Sequence, residues 1–132
     1  MKCTDLRYTN LLLLIPFTIL LNTKKTFCEY LLLFVILFVI LLSQLFWSNP
    51  IKKSLIHKID GIIAKIALLL FISYILYFKK MSSILFGIML SIFICAYLSN
   101  LYSNKKWCSN SHIICHGLFH ILCSLGILYI FI

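Results

Sequence analysis

The chain has 132 residues, of which 63% are hydrophobic and only 11% charged, and its mean hydropathy is +1.08. A soluble domain of this size cannot hide so much apolar surface, which excludes an ordinary globular fold and makes the bilayer the expected solvent. The net charge of +9 does not argue for nucleic acid. Lys24-Lys25, Lys52-Lys53, Lys79-Lys80 and Lys105-Lys106 sit in pairs between apolar runs, where they hold helix ends at lipid headgroups, and no basic face with interleaved aromatics remains.

Residues 1–10 are polar and carry Lys2, Asp5 and Arg7, and an apolar run interrupted by Pro16 follows from Leu11 to Leu21. That run has the length of a signal-peptide core, but Asn22-Thr23-Lys24-Lys25 is not a small-residue cleavage site. Counted from Leu6, it is a first span over 6–21 in a tilted or thinned setting. The second span, 27–47, is almost free of polar side chains until Ser43 and Gln44, and Ser48-Asn49-Pro50 closes it. The basic, amphipathic stretch 51–58 is expected to lie along the headgroups. The third span, 59–78, carries Asp60 in its first turn and, a turn further in, Lys65, whose stem is long enough to snorkel.

After a tight turn at Lys79-Lys80, the fourth span covers 81–102, with Ser82, Ser83, Gly87, Ser91, Ala96 and Ser99 permitting close helix approach. Trp107 anchors the next loop at the interface, and the fifth span runs over 112–132. The expected fold is therefore all-α: a polytopic helical membrane protein, one domain, five spans in an up-down bundle, with no internal repeat. The N-terminal side carries seven cations (Lys2, Arg7, Lys52, Lys53, Lys58, Lys105, Lys106) against four (Lys24, Lys25, Lys79, Lys80), which places the N-terminus in the cytoplasm. The six cysteines show neither a CxxC site nor the spacing of a disulfide framework, and Cys95, Cys115 and Cys123 read as small apolar residues in the spans.

The chemistry gathers in the last span. His116 and His120 are four residues apart, so on a helix they lie on one face, roughly 6 Å apart along the axis. Ionisable groups at membrane depth are costly and therefore mark function by default. The topology sets Ser43 at the end of the second span and Asp60 at the start of the third, in the same leaflet as the two histidines. Contact with a metal or a substrate is one reading; hydrogen bonds across helices that settle packing are the other.

Ser43-Gln44-Leu45-Phe46-Trp47, Lys58-Ile59-Asp60-Gly61 and His116-Gly117-Leu118-Phe119-His120 together resemble the CREST superfamily of alkaline ceramidases, hemolysin III proteins and progestin and adipoQ receptors. That group shows Ser-x-x-x-His closing one helix, an Asp opening the next and His-x-x-x-His in the last. The resemblance covers 43–78 and 112–130, and Gly126 falls where hemolysin III proteins carry glycine. It implies a zinc ion held by His116 and His120, a membrane lipid amide or ester as substrate, Asp60 as base or orienting group, and Ser43 helping to hold the oxyanion.

Two departures accompany it. The chain has room for five spans where the family has seven, and Trp47 stands where the first zinc-binding His is expected. Indole offers no ligand lone pair, and a catalytic zinc normally takes three protein ligands. His57, Asp60 or Cys123 could supply the third; His112 cannot chelate with His120, roughly 12 Å away along the helix. The alternative is a non-enzymatic protein, such as a pore, an assembly factor or a partner-binding bundle, in which the histidines only specify packing.

Overall fold

A computed structural model describes residues 2–23 and 26–131, and the helices within them leave only short connections. Five are long and apolar enough to cross a membrane: α1 (Cys3–Asn22), α2 (Phe27–Ser48), α3 (Leu55–Phe78), α4 (Ser83–Lys105) and α5 (Asn110–Phe131). Their outer faces carry the large apolar side chains, with Phe27 84%, Phe34 65%, Leu69 63% and Tyr77 83% exposed. The expected headgroup-level stretch over 51–58 is shorter than predicted. Ser54 Oγ accepts the His57 amide and starts α3 at Leu55, four residues earlier than the apolar run suggests.

The first helix mixes α and 3-10 turns, with a 3-10 segment at Leu11–Leu13 just before Pro16. Proline has no amide hydrogen for the carbonyl four residues back, so the Leu12 oxygen loses its α-type bond and accepts a 3-10 backbone N–H instead. Ser124 on α5 donates to it at 2.9 Å. The serine thus adds a second bond to a carbonyl at the helix irregularity, as neighbouring Ser side chains and local 3-10 adjustments do together in apolar surroundings. Ser124→Ala is expected to lower thermal stability in detergent by about 1–2 kcal/mol. Adding Pro16→Ala should recover part of that loss, because an alanine amide lets the Leu12 carbonyl regain an α-type bond.

Hydrogen bonds between helices give the order. Asn10 Nδ2 donates to the Ile40 carbonyl and Gln44 Nε2 to the Arg7 carbonyl, so α1 runs antiparallel to α2. Thr9 meets His120 and Leu12 meets Ser124, so α1 runs parallel to α5. The first helix thus lies centrally between α2 and α5. The α3 helix packs on the far side of α2, and α4 on the far side of α5. Although a short turn joins α3 to α4, these two share no substantial interface. The bundle is an open ring whose gap lies between them.

The parallel placement of α1 and α5 brings residue 3 beside the α4–α5 loop, and Cys3 and Cys108 are bonded there as a disulfide, Cα atoms 5.2 Å apart. The cysteine spacing, which shows no disulfide framework, gave no sign of this bond. The bond depends on the order of helices in space, which a sequence separation of 105 does not disclose.

The hairpins α2–α3 and α4–α5 also match one another, against the expectation of no repeat. In each, a residue of positive φ (Lys53 at 65°, Cys108 at 58°) precedes a serine (Ser54, Ser109) that accepts the amide of a histidine three residues on (His57, His112). Each histidine returns Nδ1 to the amide of the positive-φ residue, at 2.9 and 3.3 Å. At the other end Tyr74 donates to Glu29 in the first turn of α2, and Tyr129 shares a hydrogen bond with Ser82, the N-cap of α4. All of these pairs within α3 and α5 are separated by 55 residues (Ser54 to Ser109, His57 to His112, Tyr74 to Tyr129). The match lies in the stapling residues, and most residues of the apolar runs between them differ.

Candidate functional site

The antiparallel hairpin α2–α3 folds about a loop at 49–54, so residues equally far from it face each other. Ser43 and Asp60 satisfy that condition, and Ser43 Oγ donates to Asp60 Oδ1 at 2.9 Å, with both side chains buried. The sequence placed the two in one leaflet; the hydrogen bond between them is a finding of the structure.

The histidines take partners that the sequence did not indicate. His120 Nδ1 lies 2.9 Å from Thr9 Oγ1 on α1, and His116 Nδ1 lies 2.8 Å from Ser99 Oγ on α4. The Thr9 hydroxyl also donates to the Leu6 carbonyl at 2.9 Å. A threonine has one hydroxyl hydrogen, so His120 Nδ1 must be the donor to it, which leaves the lone pair of a neutral His120 on Nε2. The two imidazoles stand edge to face, 4.8 Å between centroids, and Trp47 sits 4.9 Å from His116. Trp47 is buried, and its indole N–H has no hydrogen-bond partner.

These groups line one cavity of about 300 Å³ between α2, α3, α4 and α5, with Leu13 of α1 also on its wall. Ser43, Asp60, Ser99, Asn100, His116 and His120 form its polar pole, and the remainder runs along apolar side chains such as Phe71, Ile75, Met89 and Ile127 to the far end of the bundle. A plug of aromatic rings closes the polar end. Trp107 packs 5.2 Å from His57, 5.0 Å from His112 and 6.2 Å from both Phe46 and Trp47. Lys52 Nζ lies over the Trp107 ring and donates to the Ser103 carbonyl.

His57 therefore has a different task from the ligand role considered for it. Its Nδ1 accepts the Lys53 amide, and its ring stacks on Phe46 at 4.8 Å. His112 does the same for the Cys108 amide. This is a capping box in which histidine does what Glu or Gln does in Ser-x-x-Glu, reaching one residue further back. Ser-x-x-His was the overlooked signal for both helix starts. His112→Ala is expected to cost at least about 1 kcal/mol of thermal stability while His112→Gln, which keeps an acceptor, costs less than half as much. Equal losses would show that ring packing alone is at stake.

The residues proposed as zinc donors do not meet as a set. Among the described residues, the group of three whose ligand atoms lie within 4.8 Å of one another is Cys3, Cys108 and His112, and its two sulfurs are bonded to each other. Neither Asp60, His57 nor Cys123 joins His116 and His120 in such a group. Two imidazoles facing a tryptophan do not fit a catalytic zinc, which takes three protein ligands and a water. Comparison with family models, curated proteins and solved structures found no match to this chain.

Proposed function

We propose that this chain is an integral membrane protein of CREST-like organisation that binds a single-chain amphiphile rather than hydrolysing one. The observation that carries the reading is the polarity of the cavity. Its pole of one carboxylate, two imidazoles, two hydroxyls and the Asn100 amide suits a lipid head, and the apolar length below it suits an acyl chain. The outward apolar faces of all five helices support membrane residence, since a soluble chain rarely exposes such continuous surface. The gap between α3 and α4 gives a lateral path for the chain.

Within the site, Asp60 keeps one oxygen on Ser43 and has the other for a hydroxyl or ammonium of the head. His120 Nε2 accepts a second donor. Because the donor set does not fit zinc, no step is assigned to a metal-bound water. Native mass spectrometry of detergent-purified protein tests the reading. The wild type should retain one single-chain lipid per chain, and Met89→Trp, which fills the apolar end, should lower that occupancy at least tenfold. Equal occupancy in both proteins, or none in the wild type, would defeat the proposal.

A further inference from the structure

We infer that the end of the bundle bearing Cys3–Cys108 faces an oxidising, extracytoplasmic compartment, so that the Ser43/Asp60/His116/His120 pocket lies in the extracytoplasmic leaflet and takes its amphiphile from there. The inference rests on the membrane-residence and lipid-binding reading above and adds the side and the source.

The disulfide and the polar pole of the cavity meet at one end of the molecule. The disulfide joins the start of α1 to the α4–α5 loop. Thiol pools keep cytosolic cysteines reduced, whereas disulfides persist in secretory, periplasmic or external compartments. The charge bias of seven cations against four points the other way. It is a statistical tendency with a lead of three, and Arg7 and Lys52 are already engaged by Tyr8, Trp107 and the Ser103 carbonyl. A covalent bond with a compartment requirement outweighs it.

The polar pole belongs to the same end. Asp60 is the sixth residue of α3, Ser43 lies five before the end of α2, and His120 is the eleventh of 22 residues in α5. At about 1.5 Å per residue, all lie between that face and mid-depth. Direct entry from the water is blocked by Trp107 and the rings packed on it. The remaining way in is sideways between α3 and α4, from the leaflet on the disulfide side.

The test uses the full chain in intact cells and a membrane-impermeant maleimide. Asn104→Cys lies at the disulfide end and Lys80→Cys at the opposite turn, both at exposed positions; the wild type gives the background from its four free cysteines. Labelling of Asn104→Cys at least tenfold above background before permeabilisation, with Lys80→Cys reacting only afterwards, is the expected result. The reverse pattern, or equal labelling of both, overturns the inference. Alkylation before lysis followed by peptide mapping should recover Cys3 linked to Cys108; recovery of both as alkylated thiols overturns it too.

A diazirine-bearing lysophosphatidylcholine, slow to cross a bilayer, tests the source. Added outside the cells, it should crosslink to peptides of α3 and α4, and Met89→Trp should suppress this at least tenfold. Failure here with lipid retained in detergent rejects the leaflet and leaves the binding reading standing. Loss of lipid retention with outside labelling intact does the opposite.

Discussion

Trp47→His is expected to turn a protein that retains no stoichiometric zinc after dialysis into one that holds a single ion, with affinity raised at least about 100-fold. Trp47 is buried 4.9 Å from the His116 ring, and His116 is itself 4.8 Å from His120. A third imidazole there completes the three nitrogen donors that zinc favours, and His120 already presents its Nε2 lone pair. Without metal the variant should be less stable by about 3 kcal/mol, since a smaller ring leaves part of the indole volume empty. Zinc should then raise its unfolding temperature while leaving the wild type unmoved. Trp47→Phe supplies the control, losing stability without gaining metal. Stoichiometric zinc in the wild type would overturn the argument from the donor set, and an unresponsive Trp47→His would detach Trp47 from the expected ligand position.

The second large effect belongs to the disulfide. Cys3→Ser, Cys108→Ser and the double variant should each lose about 2–4 kcal/mol, because each removes the same cross-link over a long loop. A detergent half-life measurement suffices, and dithiothreitol should reduce the wild type to the level of the variants. A double variant clearly worse than either single one would mean that the cysteines contribute through packing instead of through the bond.

The parts legible in the sequence are those fixed by local pattern. Apolar run length placed α2 at 27–47 against the observed Phe27–Ser48, and the alternation of spans placed Ser43 and Asp60 in one leaflet, where the structure pairs them. The start of α3 was missed because the cap is Ser-x-x-His, so that Lys58 and His57 looked like solvated linker. Thr9 and Ser99 were illegible as partners of His120 and His116. Nothing local says that α1 threads between α2 and α5, or that α4 flanks α5. Cys3–Cys108 was hidden for the same reason. The zinc set expected from the resemblance needed Asp60, His57 or Cys123 beside the imidazoles; the Asp60 carboxylate accepts from Ser43, and His57 Nδ1 accepts the Lys53 amide.

The matched hairpins give the pocket two unlike walls. Counted from Ser54 and Ser109, Asp60 occupies the same step as Cys115, Gly61 the same as His116, and Lys65 the same as His120. Two identical hairpins associating as separate chains would have to repeat every residue on both sides, giving a pair of carboxylates or a pair of imidazole clusters. Joined in one chain, the halves are released from that symmetry. One wall carries the Asp60 carboxylate and Lys65 and the other the His116 and His120 imidazoles, so the two sides of the cavity differ in chemistry although the hairpins share their stapling residues.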